Sequence, residues 1–332
     1  LDMNKKLSII MPFLNEGQEP LNTIRSIYDT ANPDDFEIIA IQDDPKDFEF
    51  DASEFKSVRL YRNQKRIGAH PSQNVGAALA QSPNMIFIDA HMRFKKSDWL
   101  QGIVDNLDHD PKTLFCTTCV GLGHTTTMDV EISTAKYRGA SLLLTNDYTA
   151  GEYTCKDGEK RAARQVLEGK WCTDYNPDRA SPYEIPCVMG ANYCIKKDWF
   201  EYLHGFNFLL FWGSSEPYLS LKSWLAGGNI KFIPEIEIGH IFRDRSPFAT
   251  PIWHLIFNKL LMTRLFFPKE MGDLLETYIP NDPAKTEASK TYIANLRTLT
   301  KEREYLMGIF TRNMRDYCDH FGLYFPSEPM RQ

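Results

Sequence analysis

The chain has 332 residues, 42% of them hydrophobic and 25% charged, an ordinary globular composition that can bury a sizeable core and suits a large α/β domain. A formal net charge of -6 excludes a global basic field for nucleic acid or anionic membrane, while leaving local basic patches open. Seven cysteines at irregular spacing exclude the disulfide framework of a small secreted domain.

Leu1 and Asp2 precede Met3 and are set aside from fold reasoning. KLSIIMPF (6–13) predicts a strand that ends in a turn-like Asn15-Glu16-Gly17. Residues 20–30 predict a helix, with Leu21, Ile24, Ile27 and Tyr28 at helical spacing. FEIIAIQ (36–42) predicts a buried strand running into Asp43-Asp44-Pro45, and SVRLYR (57–62) another. A small-residue helix is expected over 71–81, opened by Pro71. NMIFIDAH (84–91) predicts a fourth strand, and 97–107 a helix with Ser97 as its N-cap. Strands alternating with helices imply an α/β fold with a mostly parallel sheet covered on both faces. Ligands of such sheets bind at the carboxyl ends of the strands. Asn15-Glu16, Asp43-Asp44 and Asp89-Ala90-His91 all fall there.

The second half is less regular. TLFCTTCVGL (113–122) predicts a strand; its Cys116 and Cys119 would point to opposite faces and are expected to be buried thiols rather than a zinc or redox site. Residues 146–182 are rich in Lys, Arg, Asp and Gly and are read as long loops with room for one helix. Residues 183–197 are strand-like, 216–225 helical up to Gly227-Gly228, and 230–242 a strand leading into GHIFR. From Pro251 onward the pattern is helical, broken near Pro268, Pro280 and Pro283, with a frayed end. Phe248–Phe267 is the most apolar stretch, but His254, Asn258, Lys259 and Arg264 interrupt it, so no integral membrane span is expected. A helix packed beside the site is the expectation there, a surface-lying membrane helix the alternative. With no signal-like segment in view, a cytoplasmic location is expected.

Asp89 and His91 would point the same way from an extended strand end. One carboxylate and one imidazole suit Mn²⁺ or another divalent ion that keeps positions open for phosphate oxygens. The pattern is short and common, and alone it fits a capping Asp beside a surface His better. His240, in EIGHIFRD after a strand, offers a third ligand, with Arg243 three residues on.

SIIMPFLNEG (8–17), IIAIQDDP (38–45), the stretch from Arg66-Ile67-Gly68 to Asn74-Val75-Gly76, and FIDAH (87–91) resemble family 2 glycosyltransferases. DAH in place of an acidic DxD, with FWGSSEPYLSLKSWLAGGNIKFIPEIEIGHIFR (211–243), is similar to the polypeptide N-acetylgalactosaminyltransferases. Each motif is weak; their joint order over roughly residues 7 to 248 is specific. The resemblance implies a GT-A catalytic domain over 4–250 followed by a helical extension over 251–332. It implies a nucleotide-sugar donor, first of all a UDP-sugar, and Mn²⁺ or Mg²⁺ as cofactor. Asp89, His91 and His240 match metal ligands, and Arg243 a residue near the diphosphate. Asp43 and Asp44 match positions near base and ribose, and Gly190-Ala191-Asn192 the donor-sugar segment. Asn15, Glu16, Arg66, Gly68, Asn74 and Trp212 stand in the matching donor-side motifs.

The departures are specific too. Ser246 and Phe248 stand where the peptide-modifying family has His and Tyr, Glu216 is displaced from that family's acidic position, and no lectin repeats follow. Glu216 has three readings: general base, orienter of substrate hydroxyls, or a carboxylate stabilised at a helix N-terminus. Trp212 would pack on a sugar or fill the core, and Lys170-Trp171 would contact acceptor or be solvated loop. The remaining histidines, among them His70, His204 and His254, have no partner pattern. The acceptor is open among glycan, lipid, protein side chain and hydroxymethylated nucleobase. Three rivals remain: a nucleotidyltransferase acting on sugar phosphates, a non-catalytic glycan-binding homologue, and, more weakly, a histidine-metal hydrolase.

Overall fold

The computed structural model describes residues 5–47, 49–123, 131–145, 152–154, 160–162, 166–174, 179–243, 247–279 and 281–326. Its first half runs β1 (Leu7–Phe13), α1 (Glu19–Tyr28), β2 (Phe36–Gln42), β3 (Val58–Arg62), α2 (Ala69–Leu79), β4 (Asn84–Ile88), β5 (Met92–Phe94), α3 (Trp99–His109) and β6 (Thr113–Leu122). A strand-rich middle follows: β7 (Glu131–Tyr137), β8 (Ala140–Thr145), β9 (Glu152–Thr154), β10 (Lys160–Ala162), β11 (Val166–Trp171), β12 (Tyr183–Glu184) and β13 (Asn192–Lys196). Then come α4 (Lys197–Tyr202), α5 (Ser215–Leu225), β14 (Asn229–Ile241), α6 (Ile252–Phe266), α7 (Lys269–Glu276), α8 (Pro283–Ala294), α9 (Leu296–Ile309) and α10 (Met314–Phe321).

The main sheet has the order β12-β14-β6-β13-β4-β1-β2-β3, with β5 on β14 and β7 on β6. β3, β2, β1, β4, β6 and β14 run one way, and β13 lies antiparallel between β4 and β6. β2, β4 and β6 are buried along their whole length. That is the mark of strands covered on both faces and explains their unbroken apolar runs. Cys116 and Cys119 are free and buried in β6, and burial pushes the Cys116 thiol up to about 12.

Four local expectations change. The strand predicted to reach His91 stops at Ile88, and Asp89-Ala90-His91 forms a turn before β5. α2 starts at Ala69, because Gly68 at φ 98° turns the chain into it; Pro71 sits inside the first turn, where a missing N–H costs nothing. α3 follows Asp98 rather than Ser97, without a side-chain cap. The described parts of 146–182 contain three strands and no helix: β9 pairs with β10, and β11 pairs antiparallel with β8. Of the frayed end expected over 324–332, residues 327–332 lie outside the described residues, as does Ser246.

α6 is apolar nearly all round because it is buried nearly all round. It packs on α5, α7, α8, α9 and β11. Among the described residues no helix is long and apolar enough to cross a membrane. A polar cluster ties α5 to α9: Lys222, fully buried, donates to Gly205 O at 3.0 Å and stands 3.8 Å from Glu302 Oε1. Glu302 Oε2 in turn lies 2.8 Å from His204 Nδ1. Burial draws the Lys222 ammonium down to about 7, against the pull of Glu302.

Candidate active site

β5 lies antiparallel on β14, placing His240 opposite Met92. The turn carrying Asp89 and His91 is thereby laid against the end of β14, and Ile241 N donates to His91 O at 3.1 Å. Thr23 of α1 pins the turn: its hydroxyl lies 2.8 Å from Ala90 O and accepts from Met92 N at 3.0 Å. On the other side Asp89 N donates to Ala191 O at 3.2 Å. One donor atom each from Asp89, His91 and His240 then lies within 4.8 Å of the others. His240 Nε2 is 3.2 Å from Asp89 Oδ2, and the two imidazole centroids are 4.7 Å apart.

These residues fit a divalent cation. His240 Nδ1 is buried without a hydrogen-bond partner, and His91 Nδ1 has only the Glu16 carboxylate near it, at 3.4 Å. Burial lowers the His240 pKa despite Asp89, which favours the neutral imidazole a metal needs. The Asp89 side chain is 44% exposed, so the group opens to solvent on one side. A carboxylate with two imidazoles suits Mn²⁺ and similar ions that keep open positions.

Glu16, at the end of β1, organises the surroundings. Its carboxylate is hydrogen-bonded to Arg243 and stands 3.4 Å from His91 Nδ1. Burial would raise its pKa, but His91 and Arg243 outweigh that and hold it below the ordinary carboxylate range. Glu16 thus stays ionised and aims the Arg243 guanidinium beside the three-residue group.

Glu216 is the second residue of α5. Ser215 Oγ donates to its Oε2 at 3.1 Å, and its Oε1 backs onto Gly190 so closely that a Cβ there would stand 2.2 Å away. Burial, with the neighbouring charges of Glu168 and Asp89, raises its pKa.

Residues 8–169 match the model of Glycosyl transferase family 2. That match covers just under half of the chain, so it marks a likeness to that family over its first part. The chain is 28% identical to human polypeptide N-acetylgalactosaminyltransferase 10 over 253 residues, which cover 74% of this chain and 39% of that protein. It is 28% identical to human polypeptide N-acetylgalactosaminyltransferase 14 over 250 residues, 74% of this chain and 42% of that one. It therefore spans about two-fifths of the length of these relatives. In fold it is similar to GalNAc-T7 solved with UDP, GalNAc and Mn²⁺, at a TM-score of 0.63 and 18% identity, covering 95% of this chain and 56% of that one. It is also similar to S. aureus TarS 1-349 in complex with UDP-GlcNAc, at a TM-score of 0.50 and 11% identity, covering 96% and 93%. The GT-A fold expected from the motifs is the fold observed.

The other sequence-derived residues divide into three groups. Asp43 is an anchor: Asn63 Nδ2, Ile67 N, Gly68 N and Ser72 Oγ all donate to its buried carboxylate. Asp44 accepts from Lys46 N in its own turn, and the exposed Asn15 donates from its backbone N–H to Asp47 Oδ2. Arg66, Gly68 and Trp212 gather around Phe211. Gly68 bridges to Phe211, where any Cβ would collide with its backbone, and Arg66 lies over the Phe211 and Phe248 rings and donates to Ala249 O. Trp212 is 51% exposed and so is not core filling. Asn74 and Asn192 spend their side chains elsewhere. Asn74 Oδ1 accepts from Phe206 N, and Asn192 Oδ1 accepts from Thr117 N and Oγ1, leaving the buried Nδ2 without a partner.

Trp171, read as loop, lies on β11 with its ring edge-on to His240 at 6.2 Å. Tyr137 and Phe242 complete an aromatic wall beside His240. No local sequence signal marks that wall, because its members come from β7, β11 and the residue that follows β14. His70, given no role, holds the 211–213 segment: its Nε2 lies 3.0 Å from Gly213 O, and burial lowers its pKa to about 4.

Proposed function

We propose that this protein is a metal-dependent glycosyltransferase that moves a sugar from a nucleoside-diphosphate donor, most simply a UDP-sugar, to an acceptor hydroxyl. The observation that carries the proposal is the convergence of Asp89, His91 and His240, with Arg243 held beside them by Glu16. Its likeness to family 2 over the first part of the chain and to enzymes solved with UDP or UDP-GlcNAc supports the donor class. When bound, Mn²⁺ or Mg²⁺ would supply Lewis-acid stabilisation of the diphosphate. Arg243 adds a fixed cation for the departing phosphate, and the aromatic wall of Trp171, Tyr137 and Phe242 keeps water from one side. Glu216, with its raised pKa, takes the role of general base toward the acceptor hydroxyl.

A protein hydroxyl is the first acceptor class to test, since the similar relatives are polypeptide transferases. Phe248 and the displacement of Glu216 are this chain's departures from them, so glycan, lipid-linked glycan and hydroxymethylated DNA belong on the same panel. The deciding experiment is donor hydrolysis with UDP-, GDP- and other nucleotide sugars, with and without Mn²⁺. Metal-dependent release of nucleoside diphosphate supports the proposal. Release of pyrophosphate would indicate a nucleotidyltransferase, and neither release nor donor binding would indicate a non-catalytic homologue.

A further inference from the structure

Two consecutive residues of α6 grip the two segments that flank Glu216. Asn258 is fully buried: its Oδ1 accepts from Leu210 N at 2.8 Å, and its Nδ2 lies 3.0 Å from both Leu210 O and Gly213 O. That holds the segment leading directly into α5. Lys259, with a side chain only 13% exposed, donates to Val166 O at 2.8 Å and pairs with Glu168. Both partners are on β11. Gly169 of that strand packs against Glu216, with its added Cβ position 4.0 Å from Glu216 Cβ, and Trp171 stands edge-on to His240. β11 is half of a two-stranded ribbon with β8 and is not in the main sheet. Backbone bonds from Cys172 to Arg138 and Gly139, and between Ala140 and Cys187, tie its Trp171 end, whereas Lys259 holds its Val166 end.

We infer that Lys259 is a positioning residue: it fixes β11 so that Gly169 backs Glu216 and Trp171 backs His240, and with Asn258 it makes α6 the brace of the site. The inference rests on the transferase reading for its kinetic consequence but not for its structural one. A displaced backing strand misaligns the reacting groups, and such misalignment lowers turnover more than donor binding.

The test compares Lys259→Met and Lys259→Arg with the parent by two readouts. The first is Mn²⁺-dependent UDP release from the preferred UDP-sugar. The second is the near-ultraviolet circular dichroism of the metal-free protein, with the Trp171 contribution taken as the difference from a Trp171→Phe variant. Lys259→Met is expected to lower kcat at least about tenfold with donor KM changed less than about threefold, and to weaken the Trp171 signal. Lys259→Arg, which can still donate to both partners, restores both. If Lys259→Met does not fold, Glu168→Gln, which keeps the bond to Val166 O, is read the same way, with a smaller loss in each readout. Parent-like kcat and Trp171 signal in the variant overturn the inference and leave the transferase reading standing. Absence of release from any donor by the parent overturns the transferase reading, and the Trp171 signal then decides the positioning role alone.

Discussion

Gly190 backs directly onto the carboxylate of Glu216: a Cβ at position 190 would stand 2.2 Å from Oε1 and 3.0 Å from Cδ. The atoms in the way are the far end of a long side chain, so the chain can accommodate an added methyl only by moving the carboxylate. Gly190→Ala is therefore expected to lower kcat about 10–100-fold while changing stability by no more than about 1 kcal/mol. Steady-state UDP release and a denaturant melt measure the two. Parent-like turnover would show that the position of the Glu216 carboxylate does not matter.

Glu216→Gln tests the base itself. Turnover should fall about 100-fold or more, and the melting temperature should rise, because a neutral amide replaces a charge that burial disfavours. The sign follows from the raised pKa. The cost of the buried charge sets in as pH rises from the ordinary value of 4.5 through the folded pKa, and is complete above it. The stability gap between variant and parent should thus close as pH falls toward 4.5, and the acid limb of the parent's pH–rate profile should lie above 4.5. A variant no more stable than the parent at neutral pH would contradict the burial argument.

His240→Ala removes one of the three converging donors. Calorimetric titration with Mn²⁺ should show binding to the parent and none to the variant, and activity lost in EDTA should return with Mn²⁺ only in the parent. Metal-free, the variant should still fold but lose about 1–3 kcal/mol, since the imidazole is buried against the His91, Trp171 and Phe242 rings. Undiminished Mn²⁺ affinity in the variant would remove His240 from the ligand set.

Lys222→Met leaves Glu302 buried with only His204 for company, and should cost about 3–5 kcal/mol in a urea melt. Lys222→Met combined with Glu302→Leu should recover most of that loss, because replacing a whole buried pair is often near neutral. Lys222 titrates at about 7 in the folded chain against an ordinary 10.5. Its burial cost is therefore full below about 7 and relieved as pH rises from 7 to 10.5. The parent should gain stability on the double variant over that window. A single variant as stable as the parent would show the pair to be energetically idle.

The first half of the fold was readable from the chain alone. Strands buried on both faces, such as 36–42 and 113–122, must be continuous apolar runs, and helices with one covered face, such as α1, must show helical spacing. The motif residues at the ends of β1, β2 and β4 were readable too, because strand ends in such a sheet share one edge. The pairing of Asp89 with His91 was seen for a reason the structure replaces: a turn pinned by Thr23, not a strand, makes them converge. β11 reads as loop because Glu168 and Lys170 break its apolar pattern; Glu168 meets its charged partner, Lys259, from α6, and Lys170 faces solvent.

Sequence by itself determined the α/β class, the placement of chemistry-bearing residues at strand ends and the residue types able to hold a cation. Tertiary structure alone decided which of them meet. His240 reaches Asp89 across 151 positions of chain through the register of β14 on β5. Glu216 acquires its raised pKa from burial and from groups on other elements, Glu168 and Asp89 among them. Local patterns record which face a residue must bury; they carry no record of which distant segment will cover it, because that is settled by long-range strand register and by packing of the whole core.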